Sequence, residues 1–593
     1  MKPSDARPVH VWAPNARSAR LKIGGAMIPM EPIAYRTREG WWRADAPAAH
    51  GVDYAFVVDD GGPLPDPRSP WQPYGVHGAS RFYDHSRFRW SDRGWKAPPL
   101  SSAVIYELHI GTFTPEGTFE SAISRLDHLV RLGVTHVELM PVQEFSGGWG
   151  WGYDCVDLFA PHHAYGGPDG LKRLIDACHQ RGLAVLLDVV YNHLGPAGNY
   201  LSRFGPYFTD RYSTPWGPAV NFDSAGSAEV RRFFCDNALL WLRDYHADGL
   251  RLDAIHAIFD SSAEHFLAQL SREVKQLAAH LGRELVLIAE SDLNDPRLVM
   301  PLEAGGYGMD AQWSDDFHHA LHAVLTGEHS GYYFDFGSLG DIAKALTNAF
   351  VYDGRYSSFR KRNHGAKPVQ LSGSRFLGYL QTHDQVGNRA RGERAAGLMS
   401  VGRWKIGAAL VICAPFIPML FQGEEFAASS PFLYFTQHED PELARAVSQG
   451  RRREFAAFGW NPEEIPDPQD PAAFARSKLN WSEADCEPHS GLLDWYKELI
   501  ALRRGLSGLT DGRLDRVRVE FDEQEKWMVI RRCPIVIACN LAECSRAVSV
   551  PLDGDIVLCS TPEVKRITSG LLLPPDSVAI MRENFALPEF LKR

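Results

Sequence analysis

The pattern of hydrophobic and polar positions divides the chain into three parts. Near both ends, apolar and polar side chains alternate with a period of two, which is typical of half-buried β-strands. The clearest of these segments are 9–12, 19–23 and 54–58 near the N-terminus and 516–521, 527–531 and 535–540 near the C-terminus. Between them, short apolar runs alternate with amphipathic helical segments. The pattern therefore predicts an immunoglobulin-like β-sandwich at 1–96, a central α/β domain at 97–508 and a C-terminal β-sandwich at 509–593.

The central part contains eight short apolar runs that fit buried strands. They are 104–109, 134–141, 184–190, 249–253, 285–290, 309–313, 376–381 and 418–422. Helical segments separate them, and the clearest are 119–132, 170–181, 228–245 and 264–281. Eight strands with intervening helices favour a closed (β/α)8 barrel over an open doubly wound sheet. Long connections follow the third strand and occupy 327–375 and 424–484, and such loops usually build a binding site.

Composition and charge exclude several classes of protein. The chain has 593 residues, too many for a single hydrophobic core, and a net charge of −11 with no basic run. We therefore expect neither nucleic acid nor a membrane as a partner. The longest apolar stretch, 406–421, contains two prolines and fits a buried helix that leads into a strand. Nine cysteines without a zinc-binding spacing, and an N-terminus without a signal sequence, predict a cytoplasmic protein with reduced thiols.

Two of the predicted strands end in a carboxylate. The fourth strand ends at Asp253 and the fifth at Glu290. A parallel barrel carries its catalytic groups at the C-terminal ends of its strands, and two neighbouring carboxylates are what cleavage of a glycosidic bond requires. Arg251 lies two residues before Asp253 and faces the same side of the strand, where we expect its positive charge to stabilise the carboxylate. Each acid taken alone would fit an ordinary strand-end or helix-capping residue better, and only the surrounding pattern favours the catalytic interpretation.

Two other strand ends add polar side chains. The third strand leads into Asn192 and His193, and the seventh leads into His383 and Asp384. Asp384 is a third carboxylate that can bind sugar hydroxyl groups and favour a distorted ring. The two histidines can donate hydrogen bonds to the same sugar. Four strand ends together predict a carbohydrate-active site on one face of the barrel.

Segments at these four strand ends resemble the signature regions of glycoside hydrolase family 13, the α-amylase family. They are DVVYNH (188–193), GLRLDAIH (249–256), LIAES (287–291) and THD (382–384). The resemblance implies that Asp253 is the nucleophile, Glu290 the general acid and base, and Asp384 a stabiliser of the transition state. It further implies that Tyr153 is the stacking platform under a sugar ring and that His193, Arg251 and His383 also contact the sugar.

Longer segments are similar to one group within that family, the maltooligosyltrehalose trehalohydrolases. The similarity includes 104–145, 151–196 and 214–223, and it extends to the N-terminal sandwich, which it identifies as carbohydrate-binding-module-like. It implies hydrolysis of the α-1,4 bond next to the terminal trehalose unit of an α-glucan oligosaccharide. Cys155 departs from the pattern, because a glycine is expected there, and this puts the local loop geometry in doubt.

The residues that would recognise a trehalose unit are predicted less directly. His256 follows the predicted nucleophile by three residues, and Trp313 and Asp315 lie at the end of the sixth strand. All three are candidates for the leaving-group side of the site. A packed tryptophan and a capping aspartate would explain Trp313 and Asp315 equally well. Trp216 and the aromatic-rich insert at 332–356 are further candidates.

Neither a cofactor nor a metal ion is expected. Two carboxylates suffice for glycosidic hydrolysis. The resemblance places a calcium site of many amylases near Asn192, but no dense acidic loop that would form a calcium cage lies close to it in the sequence. A glycogen branching enzyme and a debranching enzyme are alternatives with the same mechanism. A non-catalytic glycan-binding protein is a third alternative, and the presence of all three carboxylates speaks against it.

Overall fold

A closed barrel of eight parallel strands forms the centre of the computed structural model, which describes residues 7–34, 39–368, 370–457 and 461–583. The barrel strands are β1 (Ile105–Leu108), β2 (His136–Leu139), β3 (Ala184–Val189), β4 (Gly249–Leu252), β5 (Val286–Ala289), β6 (Ala311–Trp313), β7 (Phe376–Tyr379) and β8 (Ile417–Phe421). They pair in chain order, and β8 closes the barrel on β1 with Met419 opposite Ile105. The predicted α/β class and (β/α)8 barrel are confirmed.

The interior of the barrel is filled by side chains. Alternate residues of each strand point inward, and large apolar groups such as Leu186, Ile288, Leu377 and Met419 form a fully buried cluster there. Burial of this kind stabilises the fold by about 25 cal/mol for each Å² of apolar surface removed from water. Because the interior is packed, a substrate site must lie on a face of the barrel, where the strands end.

Helices cover the outside of the barrel between consecutive strands. They are Phe119–Ile123, Leu126–Leu132, Gly167–Gln180, Ser227–Arg243, Phe266–Leu281, Asp315–Thr326, Val401–Ile412 and His489–Gly505. The predicted buried helix at 406–421 that leads into a strand corresponds to Val401–Ile412 and β8. Within the described ranges, no helix is long and apolar enough to cross a membrane.

The single helix predicted at 119–132 is wrong, because two short helices occupy this segment. The break follows Ser124, whose hydroxyl group donates to the carbonyl oxygen of Ser121 at 2.7 Å. The hydroxyl group of Ser121 likewise donates to the carbonyl oxygen of Thr118 at 2.9 Å. Such side-chain bonds compete with the helical ladder, and the apolar period of the segment does not register them.

Antiparallel sheets lie at both ends of the chain, as predicted. The N-terminal strands are Arg7–Trp12, Ala19–Ile23, Ala26–Pro29, Glu31–Pro32, Trp41–Ala46, Asp53–Val58 and Ser80–Arg81, in sheets of three and four strands. The C-terminal strands are Arg518–Asp522, Trp527–Arg532, Ile535–Asn540, Arg546–Val548, Gly554–Cys559, Lys565–Ile567, Gly570–Leu573 and Ser577–Glu583, in sheets of five and three strands.

The loops that follow the barrel strands carry secondary structure of their own. Their strands are Gln143–Phe145, Cys155–Pro161, Phe208–Thr214, Gly217–Val220, Tyr356–Ser357 and Arg362–Asn363. Their helices are Ile110–Phe113, Leu201–Phe204, Leu339–Asn348, His383–Gly387, Pro441–Ala457 and Pro471–Arg476. These insertions follow the C-terminal ends of the strands, and Asp253 is buried there.

A buried cluster of charged side chains joins the segment before β1 to the face of the barrel where the strands begin. This face is opposite the one that carries Asp253 and Glu290. The ring of His179 lies between two carboxylates, with Nδ1 at 2.9 Å from Asp92 and Nε2 at 3.0 Å from Asp248. The ring also stacks on Trp95, whose indole N–H donates to Asp248. Although burial lowers it, the hydrogen bonds to Asp248 and Asp92 raise the pKa of His179 above its usual value. The cluster therefore holds a charged histidine.

Replacing His179 by glutamine should lower the free energy of unfolding by about 1–3 kcal/mol, because the two carboxylates lose a charged donor. The contribution of His179 is present below its unfolded pKa of about 6.5 and is lost as pH rises through the higher folded pKa. Asp92 and Asp248 have lowered pKa values, so they contribute above about pH 4 and lose this contribution as pH falls further. Melting temperatures of wild type and variant should therefore differ most between about pH 4 and 6.5.

The exposed His280 provides the matched control, since its replacement by glutamine removes an imidazole without a buried partner. Equal melting temperatures of the His179→Gln variant and the wild type at pH 5.5 would contradict the role assigned to this cluster.

Candidate active site

Asp253 and Glu290 lie side by side at the C-terminal ends of β4 and β5. The two strands pair in parallel with Leu252 opposite Ala289, so the residues that follow reach the same level. The guanidinium of Arg251 touches both carboxyl groups. Its Nη1 donates to Asp253 Oδ1 at 2.9 Å, and its Nη2 lies 3.6 Å from Glu290 Oε2. One buried cation therefore holds the two acids predicted from the sequence next to each other.

A left-handed turn after Asp253 orients the second acid. Ala254 has φ of +37°, an uncommon conformation for a residue with a side chain. This turn directs the backbone N–H of Ala254 to the carboxyl group of Glu290, where it donates a hydrogen bond. Backbone strain of this type tends to occur at functional sites. The turn fixes one carboxyl oxygen of Glu290 relative to the neighbouring strand.

Asn192 orients the first acid. Its amide nitrogen donates to the carbonyl oxygen of Asp253 at 2.7 Å and to Asp253 Oδ2 at 2.8 Å. Both carboxyl oxygens of Asp253 thus accept a hydrogen bond, one from Asn192 and one from Arg251. The other atom of the amide, Oδ1, contacts the ring of His193. The side chain of Asn192 therefore serves the predicted nucleophile, a role that the sequence did not indicate.

The electrostatic environment separates the roles of the two acids. Burial raises the pKa of Glu290 well above its usual value, and the neighbouring Asp253 and Asp384 carboxylates add to the effect. Arg251 acts in the opposite direction, but burial and the like charges prevail. The raised pKa favours the protonated form of Glu290, which is the form that a general acid needs. Asp253, which accepts hydrogen bonds from Arg251 and Asn192, is suited to act as the ionised partner.

The floor of the site is a linked set of polar side chains. The hydroxyl group of Tyr153 donates to Asp188 Oδ2 at 2.7 Å and lies 2.8 Å from Nε2 of His383. The rings of Tyr153 and His383 stack with centroids 5.2 Å apart. Burial raises the pKa of Asp188 to about 6, although Arg251 opposes the shift. Tyr153 is therefore held rigidly, as a stacking platform requires.

Asp384 and His193 lie at the sides of this floor. The side chain of Asp384 is 38% exposed and accepts a hydrogen bond from the amide of Asn388 at 3.3 Å. Of the three predicted carboxylates, it is the most accessible one. His193 stacks on Trp216 with ring centroids 4.5 Å apart, and Trp216 is half exposed. The structure thus brings Trp216, which the sequence marked only as a further candidate, into the site.

Beside Glu290 lies a polar group of residues that the sequence marked only in part. The carboxylate of Asp292 forms an ion pair with Arg360 at 2.8 Å, and the backbone carbonyl oxygen of Asp292 accepts a hydrogen bond from the ring of His364. Although burial raises it, Arg360 and His256 hold the pKa of Asp292 below its usual value. Arg360 belongs to the insert at 327–375, where no spacing pointed to it. Asp292 lies two residues after Glu290 and could have been found from that position.

The candidates at the end of β6 differ in exposure. Trp313 is only 2% exposed, and its ring lies 4.4 Å from the guanidinium of Arg251. This burial favours support of Arg251 over direct contact with a sugar. Asp315 accepts a hydrogen bond from the hydroxyl group of Tyr379, and burial raises its pKa to about 7. In the aromatic insert, Tyr333 is buried whereas Phe334 and Tyr356 are exposed. The exposed pair is available to wall the cleft.

One cluster of side chains has potential metal ligands close together. Glu144, His162 and His163 have potential ligand atoms within 4.8 Å of one another, but both carboxyl oxygens of Glu144 already accept from His163, at 2.6 and 2.8 Å. Hydrogen bonding therefore accounts for the cluster.

Cys155 is fully buried at the start of the strand Cys155–Pro161, and its carbonyl oxygen accepts a hydrogen bond from the backbone N–H of Gly195. The chain accommodates this side chain in a strand whose pairing with Gln143–Phe145 contains register shifts.

Comparison with known proteins places this site in a family. The model of the alpha amylase catalytic domain matches residues 79–212, and a domain of unknown function, DUF3459, matches residues 512–580. A malto-oligosyltrehalose trehalohydrolase of Arthrobacter ramosus is 51% identical over 96% of this chain and 99% of that protein. Another, of Saccharolobus solfataricus, is 47% identical over 89% of each. The chain belongs to the malto-oligosyltrehalose trehalohydrolase family.

Members of this family are glycosidases of the α-amylase family, and so is this chain. A crystal structure of a putative alpha amylase from Salmonella typhimurium is 36% identical, with a TM-score of 0.89 over 98% of this chain and 99% of that one. A pullulanase of Anoxybacillus sp. LM18-11 shares the fold, with a TM-score of 0.72 at 18% identity over 98% of this chain and 87% of that one. A branching enzyme of Pseudoalteromonas atlantica matches only 53% of this chain and 49% of that protein, at 32% identity. The malto-oligosyltrehalose trehalohydrolase family thus accounts for the whole chain better than the branching-enzyme alternative.

Proposed function

We propose that the chain hydrolyses the α-1,4 bond next to the terminal trehalose unit of maltooligosyltrehalose and releases trehalose. The observation that carries the proposal is the pair Asp253 and Glu290, bridged by Arg251, in a chain that is 51% identical to a malto-oligosyltrehalose trehalohydrolase. The substrate is an α-1,4-glucan oligosaccharide that ends in trehalose. We infer that no nucleic acid, membrane, cofactor or metal takes part.

The mechanism that this geometry supports is a double displacement with retention of configuration. Asp253 attacks the anomeric carbon, and Glu290 gives its proton to the glycosidic oxygen, so that trehalose leaves. Glu290, now ionised, then takes a proton from water, which attacks the glycosyl–Asp253 ester. The maltooligosaccharide is released as the α-anomer, Asp253 regains its charge and Glu290 its proton. Asp384 stabilises the positive charge that develops on the sugar ring in both steps.

Four residues beside Glu290 form the proposed pocket for the leaving trehalose. They are His256, Asp292, Asp315 and Arg360. Asp292 and Arg360 are paired at 2.8 Å and partly exposed, so they present a donor and an acceptor to the cleft. A reducing-end maltose unit has a different linkage and shape. It would leave some of these polar groups unpaired, and each mismatch costs about 1–3 kcal/mol.

Product analysis with maltotriosyltrehalose and maltopentaose tests the function. We expect kcat/KM to be at least about a hundredfold higher on maltotriosyltrehalose, which corresponds to two such mismatches. Proton NMR should show free trehalose together with maltotriose, and the α-anomer of maltotriose should precede mutarotation. Equal kcat/KM on both substrates, or trehalose missing from the products, would leave only a general α-glucan-active enzyme. A change in iodine staining of amylose without new reducing ends would favour the branching enzyme.

Variants of the proposed pocket separate recognition from chemistry. Arg360→Met and His256→Gln should each lower kcat/KM on maltotriosyltrehalose more than on maltopentaose, because both remove polar groups on the leaving-group side. Asn388→Ala is the matched control, since its amide contacts Asp384, which is not one of the four residues of the proposed pocket. We expect this control to lower both activities by the same factor. The same outcome for all three variants would contradict the proposed pocket.

We further propose a cytoplasmic location. All nine cysteines lie within the described residues and are free thiols. Five of them are fully buried in the fold, where they act as small apolar side chains. Reduced thiols in this number fit a reducing compartment.

A further inference from the structure

Glu107 is a buried acid beneath the active site that the mechanism above does not use. It lies on β1 and is 1% exposed. Its Oε2 accepts from the backbone N–H of His383 at 3.1 Å, and its Oε1 lies 2.5 Å from the Nδ1 atom of the same ring. One carboxylate thus grips both the backbone and the ring of His383. Asp384 directly follows His383 in the chain.

The hydrogen bonds around His383 fix the positions of its ring protons. A carboxylate only accepts, so Nδ1 must carry the proton that it shares with Glu107. The hydroxyl group of Tyr153 has a single proton, which it donates to Asp188. Its oxygen therefore accepts from Nε2 of His383 at 2.8 Å. With Glu107 and Asp188 as carboxylates, both ring nitrogens are donors, which is the protonation pattern of an imidazolium cation.

We propose that Glu107 is a positioning residue of the active site, which keeps His383 charged and thereby fixes the Tyr153 platform and a positive charge beside Asp384. The Nε2 atom of His383 lies 3.5 Å from Asp384 Oδ1. A neutral ring would lose one of its two donors and release either Tyr153 or Glu107. The geometric part of the inference stands on the fold alone, whereas its kinetic part rests on the proposed function.

Charged and titratable groups face His383 from several elements. Glu107 approaches from β1, Glu138 from β2, Arg251 from β4, Asp384 from the loop after β7, and Tyr153 and His109 from two other loops. Burial and Arg251 lower the pKa of His383, but the carboxylates Asp384 and Glu107 outweigh them and raise it to about 9. Both carboxylates therefore stabilise the charged ring.

A second buried acid provides a matched control. Glu138 on β2 lies opposite Glu107 in the parallel register and is equally buried. Burial and the charge of Glu107 raise the pKa of Glu138 well above its usual value, which favours the neutral carboxylic acid. Glu107→Gln removes a charge, whereas Glu138→Gln exchanges one neutral group for another of the same shape a few ångströms away.

Carbon NMR of protein labelled at the histidine Cε1 position measures the charge on His383 directly. The resonance is assigned by its loss in His383→Asn. In the wild type it should keep the imidazolium shift beyond pH 8. In Glu107→Gln its midpoint should fall by about 1–3 pH units, as expected for loss of one nearby opposite charge. In Glu138→Gln the midpoint should stay within a few tenths of the wild-type value.

Kinetics supply a second readout that a merely structural role would not produce. At pH 8, about one unit above the midpoint expected in Glu107→Gln, only about a tenth of the rings would be charged, so kcat should fall about tenfold relative to wild type. At pH 5.5, where both proteins carry the cation, the difference should shrink. The same factor at both pH values would contradict the proposal.

Two NMR results overturn the inference. One is an unchanged His383 midpoint in Glu107→Gln. The other is a neutral His383 ring at pH 7 in the wild type, which decides the question even if the variant does not fold. Neither result depends on the substrate, so failure of the proposed function leaves this test intact.

Discussion

Asp253→Asn and Glu290→Gln are expected to fold like the wild type and to lose nearly all turnover on maltotriosyltrehalose. For Glu290→Gln we expect kcat to fall by about 10²–10⁴-fold, the usual contribution of a general acid. Asp253→Asn should fall at least as far, because an amide cannot form the covalent intermediate. Both substitutions keep the shape of the side chain, so melting temperatures should change little. Either variant retaining more than about a tenth of the wild-type rate would refute the role of that residue.

An activated substrate distinguishes the two roles. Fluoride leaves without protonation, so α-maltosyl fluoride does not need the proton of Glu290. Glu290→Gln should therefore form the glycosyl-enzyme from this substrate at close to the wild-type rate, whereas Asp253→Asn should not form it at all. A burst of fluoride release in the first variant, and its absence in the second, is the expected measurement. Equal behaviour of the two variants would mean that the roles of the acids are wrongly assigned.

Arg251→Met is expected to have the largest effect on stability. Arg251 is fully buried and donates to Asp188 at 2.7 Å and to Asp253 at 2.9 Å. Its removal leaves these carboxyl groups buried without a cation, which costs about 3–5 kcal/mol of the free energy of unfolding. The loss should grow as pH rises above about 4, because the carboxyl groups are then ionised in the unfolded chain. Denaturant titrations at pH 4.5 and 7.5 measure it.

Arg503 offers the control for this variant. It is also buried, but it donates to the backbone carbonyl oxygens of Ile412, Ala414 and Phe416, away from the carboxylates. Arg503→Met should lower stability with little change in kcat, whereas Arg251→Met should lower both. A fully active Arg251→Met variant would show that Asp253 does not depend on this cation.

The elements that the sequence predicted well share one physical property. Each barrel strand is a short apolar run buried on both faces, and such runs are visible without knowledge of their partners. The strands near both ends of the chain were also visible, because burial of one face makes their apolar and polar side chains alternate with a period of two. The segment at 119–132 failed because local hydroxyl groups, not apolar periodicity, decide where its helix breaks.

The candidate site was predicted unevenly for a related reason. Asp253, Glu290 and Asp384 were identified because each follows a strand that could be read from the sequence. The sequence placed Asn192 at a strand end near the site, but it did not predict the hydrogen bond from Asn192 to Asp253. Glu107 was missed because it lies within β1, where nothing marked it among apolar neighbours. Arg360 was missed because its insert has no regular spacing.

The pattern of apolar and polar residues was sufficient to predict the barrel, the flanking β-sheets and the strand ends that carry the acids. These features depend on local apolar patterns and on residues close together in the chain. The side chains that support the acids became visible only in the folded protein. The bridge of Arg251 to Glu290, the grip of Glu107 on His383 and the pair of Asp292 with Arg360 join residues 39, 276 and 68 positions apart. Contacts over such separations arise when the barrel closes, because closure brings distant strand ends to one face.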